Sequence, residues 1–120
     1  MLSNDTVKIE QQGNVIVAYL LCEKILDDET IVEIEESISA SVKSAQAINL
    51  ILDFTAVKFL TSSFLGYLIR LSKIVDESKG QLRLCGIEDK IQGIFKITRL
   101  DKIFDIHADI DKAILSLGQK

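Results

Sequence analysis

The side chains able to do chemistry in this 120-residue chain gather in one stretch, residues 49–75. An apolar run, Ile48-Asn49-Leu50-Ile51-Leu52, ends at the carboxylate of Asp53. After a short connection, Thr61-Ser62-Ser63 leads directly into a long apolar-periodic segment. Hydroxyl oxygens at such a boundary accept hydrogen bonds from the first unpaired N–H groups of a helix, so capping is one reading of all three. The other rests on position. A strand that hands over to a helix at the carboxyl end of a sheet is where open α/β sheets place their sites.

Elsewhere the residue types that run an enzyme do not assemble. His107 is the only histidine, with no second one to share a metal or a triad, so a structural role is expected for it. There is no C-x-x-C, no G-x-x-x-x-G-K-[ST], no H-E-x-x-H and no G-x-G-x-x-G. Asp53, Glu88 and Asp89 have no spacing that marks a general acid/base pair. Cys22 and Cys85 sit inside apolar strand-like segments and read as buried free thiols. No catalytic residue, metal or cofactor is expected, and the protein reads as a non-enzyme.

The elements that must position the hydroxyl run follow from periodicity. Residues 6–12 and 14–22 read as two strands around a Gly13-Asn14 hairpin turn, the second apolar on both faces. Asp27-Asp28-Glu29 precedes a helix with Ile31, Ile34, Ile38 and Val42 on one face, running to about Lys43, and Thr30 with Glu33 is placed to form a capping box. The Ile/Leu run 48–53 suits a strand buried on both faces, hence central in the sheet. Helix 62–78 follows and stops at Lys79-Gly80, where the glycine is expected to supply φ > 0. Then come a strand at 81–86 with Leu82, Leu84 and Cys85 inward, and a helix at 87–98 carrying Ile91, Ile94, Phe95 and Thr98. A short strand at 102–106 precedes a last helix, capped by Asp109, bearing Ile110, Ala113, Ile114 and Leu117 and ended by Gly118. The order is ββαβαβαβα: one α/β domain over residues 1–120, a mixed sheet flanked by helices.

Composition agrees. Hydrophobic residues make up 48%, which suits a folded domain, and 120 residues are too few to give two domains a core each. The net charge of −4, with no offsetting basic patch, argues against nucleic acid. No apolar run is long enough to cross a bilayer and residues 1–6 lack the make-up of a signal peptide, so a cytoplasmic location without membrane insertion is expected.

Leu52-Asp53-Phe54, then Phe59-Leu60-Thr61-Ser62-Ser63-Phe64-Leu65-Gly66, then Lys79-Gly80-Gln81-Leu82 resembles the STAS domain, the family of bacterial anti-sigma-factor antagonists. Ile94-Phe95 with Thr98-Arg99-Leu100 and Phe104 resembles the family's later Phe-x-x-x-Gly-Leu stretch, so the likeness covers essentially the whole chain. Thr61 stands where those antagonists usually carry Asp, and Phe64 where they usually carry Gly. The resemblance implies a partner: an anti-sigma factor that is itself an ATP-dependent serine kinase. It implies phosphorylation at Ser62, with Ser63 as second choice, and partner binding by Asp53, Thr55, Thr61, Ser62, Ser63, Phe64, Gly66 and Tyr67. Two other roles stay open within the same likeness: a STAS subunit of a membrane lipid-transport ABC complex that is never phosphorylated, and a scaffold subunit of a signalling assembly.

One further expectation comes from the helix itself. At about 100° per residue, Phe64, Leu65, Tyr67, Leu68, Ile69, Leu71, Ile74 and Val75 sweep about 220°, roughly twice what a helix lying on a sheet needs. Leu65, Leu68 and Val75 are expected in the core. Phe64, Tyr67, Leu71 and Ile74 are then the candidates for a partly exposed patch beside Ser62, or for burial by a neighbouring helix.

Overall fold

The computed structural model describes residues 6–42 and 48–117. Gly13 takes φ +60° and folds Val7–Gln12 (β1) back on Val15–Leu20 (β2), with Gln12 opposite Val15 in an antiparallel pair. The chain continues through Lys24–Ile25 (β3), Asp28–Val42 (α1), Asn49–Asp53 (β4), Phe59–Leu60 (β5) and Ser62–Glu77 (α2). Gln81–Cys85 (β6), Asp89–Ile97 (α3), a 3-10 turn at Leu100–Lys102, Asp105–His107 (β7) and Ile110–Ser116 (α4) complete it. The main sheet runs β1-β2-β4-β6-β7, and every neighbouring pair beyond the hairpin is parallel. The expected mixed α/β sheet is present, with β4 in its middle.

The sheet is buried on both faces, which is why β2 and β4 read as continuous apolar runs. Ile16, Ala18, Leu20, Leu50, Leu52 and Leu84 face the larger core together with residues of α1, α2 and α3. Val17, Ile51 and Cys85 face the other way and meet Ala113 of α4. Cys85 is therefore inward, but on the opposite side from Leu84. All four residues of the α1 stripe, Ile31, Ile34, Ile38 and Val42, are buried.

Several local expectations are corrected. Lys24–Ile25 and Phe59–Leu60 form a separate parallel ribbon, two residues a strand, too short to show any period in sequence. The N-terminus of α1 is capped by Asp27, whose Oδ1 accepts from the Thr30 N–H at 2.7 Å, in place of a Thr30–Glu33 box. Glu33 instead accepts from Thr6 Oγ1 at 3.3 Å. The left-handed residue after α2 is Lys79, at φ +68°, not Gly80. Gly80 is needed for a different reason: a Cβ there would run into the Ile48 carbonyl.

The segment after α3 also differs. Leu100 and Phe104, four residues apart, are both buried around a 3-10 turn closed by the Ile103 N–H donating to the Leu100 carbonyl at 3.0 Å, a carbonyl that also accepts from the Phe104 N–H at 3.0 Å. Phe104 thereby meets Phe95 edge-on at 6.1 Å, Thr98 is exposed at the end of α3, and the last strand starts at Asp105 instead of 102. Asp109 caps α4 as expected, accepting from the Lys112 N–H at 2.9 Å. The expected helix ends at Lys43 and Gly118 lie outside the described residues.

Candidate functional site

β4 and β6 run parallel with Asp53 opposite Cys85, and there β4 leaves the sheet. The Phe54 N–H still donates to the Cys85 carbonyl at 2.9 Å, and the chain then turns, Val57 N–H to Phe54 carbonyl, 2.8 Å. Asp53 sets the turn: its Oδ1 accepts from the Thr55 hydroxyl at 2.6 Å and from the Thr55 N–H at 3.3 Å. A carboxylate that bonds the backbone two residues on is a standard way to specify such a turn. Cys85 Sγ lies 3.8 Å from the same oxygen. Burial pushes the Cys85 thiol up to about 12, and the Asp53 charge adds to the shift.

The turn delivers the chain to β5, which the ribbon with β3 fixes, and β5 delivers it to Thr61. The Thr61 backbone is extended (φ −105°, ψ 167°), and its carbonyl accepts from the N–H groups of Phe64 and Leu65 at 3.1 and 3.3 Å. Its side chain does not cap the helix: Oγ1 is buried without a hydrogen-bond partner. Ser62 and Ser63, the first residues of α2, are exposed. Gly66 follows one turn later, at i+4 from Ser62 and i+3 from Ser63, hence on their face of the helix. Around Gly66 there is room, since an added Cβ would have only Arg70 Nη1, 3.8 Å away, within 4 Å.

The expected exposed patch on α2 is largely corrected. Phe64, Tyr67 and Leu71 are 0%, 2% and 3% exposed, and of the four candidates only Ile74 faces solvent. Phe64 packs edge-on to Phe54 (6.3 Å between ring centres) and against Tyr67 (5.8 Å). α2 lies against both the sheet and α1, so two stripes of it are buried instead of one. Leu65, Leu68 and Val75 are in the core as expected.

The structure also assembles groups that no pattern along the chain joins. Phe59, 40% exposed, has the Lys90 ammonium 4.3 Å and the Lys24 ammonium 5.7 Å from its ring centre. Lys58 pairs with Glu88 at 3.4 Å. These lysines come from three separate segments, and only the ribbon and the start of α3 bring them together. His107 ends β7 with Nε2 buried and unpartnered, and among the described residues no group of three or more His, Cys, Asp or Glu is placed to hold a metal.

This sheet order has counterparts in known proteins. A family model described as the STAS domain matches residues 6–113. The chain belongs to the STAS domain family. The fold of this STAS domain is similar to that of an anti-sigma-factor antagonist (STAS) domain protein from Planctomyces limnophilus, at a TM-score of 0.85 and 20% identity, covering 94% of this chain and 98% of that one. An anti-sigma factor antagonist from Mycobacterium paratuberculosis has a TM-score of 0.82 at 24% identity over 95% and 94% of the two chains. The Bacillus cell fate determinant SpoIIAA in its phosphorylated form has a TM-score of 0.69 at 18% identity over 90% and 96%. Among the described residues of the STAS domain, no helix is long and apolar enough to cross a membrane.

Proposed function

We propose that this STAS domain is a regulator of the anti-sigma-factor-antagonist kind, phosphorylated on Ser62 by a partner anti-sigma factor that is an ATP-dependent serine kinase. The observation that carries the reading is the pairing of exposed Ser62 with Gly66 one turn further along the same face. Glycine inside a helix costs about 1 kcal/mol relative to alanine, and nothing in this fold crowds a side chain at that position. A bare backbone beside the serine is what a closely approaching partner needs. Support also comes from the phosphorylated Bacillus relative with the same fold.

In the transfer, Ser62 Oγ attacks the γ-phosphorus of ATP, the bond to the β-phosphate oxygen breaks, ADP leaves, and the serine proton goes to solvent or to a kinase base. The product carries a charge of about −1.5 to −2 beside the unpaired N–H groups of the first turn of α2, where the helix dipole favours it. The fold therefore tolerates the phosphate, and the change is read at the interface by charge and clash. Losing one or two desolvated contacts lowers partner affinity at least about tenfold.

The test is co-purification of partners followed by mass spectrometry, then incubation with the recovered kinase and ATP. Phosphate on Ser62, at least a tenfold loss of affinity on phosphorylation, and a Ser62→Ala variant that binds but ignores ATP are the expected results. Phosphate on Ser63 or Thr61 in place of Ser62, equal affinity in both states, or recovery of a transporter ATPase with no phosphate transfer would overturn the reading.

A further inference from the structure

The turn that leads out of α3 carries the most exposed large apolar side chain among the described residues: Ile97 is 85% exposed. Further along the same turn, Ile103 is 57% exposed. Phe95, Leu100 and Phe104 are buried and anchor the segment to the core. Backbone bonds close it, the Arg99 N–H donating to the Lys96 carbonyl at 3.1 Å and the Lys102 N–H to the Arg99 carbonyl at 3.2 Å. Arg99 takes φ +63° to make the bend. A single exposed isoleucine needs no explanation. Two on one short, hydrogen-bonded turn make an apolar surface that the fold itself leaves uncovered.

The charges beside the isoleucines choose the partner. Between residues 96 and 103, Lys96, Arg99 and Lys102 stand against one carboxylate, Asp101, an excess of two positive charges (3 − 1) in a chain of net charge −4. All three cations are exposed, and among the described residues none of them makes an ion pair. The helix dipole accounts for a cation at the end of α3, but not for isoleucines set between cations. Apolar side chains that protrude among unpaired cations suit the boundary of an anionic bilayer, where carbon enters the headgroup layer and the cations meet lipid phosphates. A protruding side chain also needs no partner of matching shape when that partner is fluid.

Topology places this turn far from the hydroxyl run. α3 leaves the carboxyl end of β6 and returns to the amino end of parallel β7, so the turn lies at the amino ends of the strands. Ser62 follows the carboxyl end of β4, at the other end of the sheet. A cleft of about 550 Å³ confirms the placement, with Lys102 and Ile103 lining it together with Val75 and Asp76 from the last turns of α2. Asp76, Asp101 and Asp105 all line that cleft and repel an anionic headgroup, so contact falls on the protruding turn. We propose that residues 96–103 attach this domain reversibly to an anionic phospholipid surface, with Ile97 and Ile103 in the headgroup layer and Lys96, Arg99 and Lys102 on lipid phosphates. Only side chains enter the lipid, in keeping with a chain in which, among the described residues, no helix is long and apolar enough to span it. Attachment by this end leaves the Ser62 end free. The two surfaces share no residue, and the inference stands independently of the kinase reading.

The test co-sediments the full chain with vesicles of phosphatidylglycerol and phosphatidylcholine in equal parts, with pure phosphatidylcholine vesicles as the control. At low salt, retention on the mixed vesicles alone is expected, and it weakens sharply at about 1 M salt, where the screening length falls to about 3 Å. Ile97→Ser and Ile103→Ser are each expected to weaken binding about tenfold, the effect of one buried apolar side chain lost. Lys96→Gln combined with Lys102→Gln is expected to weaken it as well, and Asp101→Asn to strengthen it. None of these side chains is buried, so the fold is expected to hold, and unfolding curves check this. Ser62→Ala is expected to bind vesicles as the parent does, which separates this result from the fate of the kinase reading. No retention on mixed vesicles, equal retention on phosphatidylcholine, or unchanged retention in both Ile97→Ser and the double lysine variant would overturn the proposal. A protein partner whose affinity falls in Ile97→Ser while vesicles stay unbound would also overturn it and make the turn a protein interface.

Discussion

Gly86 and Asp53 face each other across the ends of β6 and β4 so closely that a Cβ on the glycine would stand 2.8 Å from Asp53 Oδ1 and 2.5 Å from Thr55 Oγ1. The glycine also sits at φ +69°, where a side chain is strained whatever the space. Gly86→Ala is expected to lower stability by about 1–3 kcal/mol and to displace the Thr55 amide signal, because the Asp53–Thr55 hydrogen bonds must open to make room. Urea unfolding and amide spectra check both. A variant as stable as the parent would show that the turn after β4 does not depend on this contact.

Phe64 separates a core role from a surface role. As a ring with no exposure, packed on Phe54 and Tyr67, it should cost about 3–5 kcal/mol when truncated to alanine. Denaturant melts measure this directly. An exposed partner anchor would leave stability unchanged and reduce only binding.

Thr61 makes the opposite case. Its hydroxyl is buried, unpaired and takes no part in capping α2. Thr61→Val keeps the branched shape and removes the unmet donor, so stability is expected to stay level or rise by up to about 1 kcal/mol. A loss of stability would mean that the hydroxyl finds a partner in solution.

The thiols give a pH prediction. The Cys85 thiol is raised from 9.0 to about 12 by burial and by Asp53. A folded-state pKa above the unfolded one means that the neutral thiol's contribution is fully present below about pH 9. It is lost as pH climbs towards 12, because the unfolded chain releases its proton first. In native protein at pH 8, iodoacetamide is expected to modify half-buried Cys22 before fully buried Cys85, which reacts only on unfolding. Peptide mapping after a timed quench reads the order. Cys85→Ala should flatten the alkaline loss of stability.

The sequence by itself determined what depends on short-range pattern. The Ile/Leu run ending at Asp53 has the composition of a strand covered on both sides, and the structure places it mid-sheet. The stripe Ile31, Ile34, Ile38 and Val42 shows its helical period, and Asp109 caps the helix it precedes, because each is a matter of neighbours within one turn. The hydroxyl run opening α2 was legible for the same reason, as was the family, whose resemblance is carried by a few short runs of residues. Tertiary structure decided what depends on segments meeting. Whether Phe64, Tyr67 and Leu71 are surface or core turns on α1 lying beside α2, which no window along α2 contains. The Lys24–Phe59–Lys90 cluster needs a ribbon of two-residue strands, too short for any period to register. Gly80 is dictated by the backbone of Ile48, 32 residues earlier in the chain (80 − 48), not by the turn it appears to punctuate. Pattern along a chain specifies which faces are apolar; only the packed fold assigns each face its neighbour.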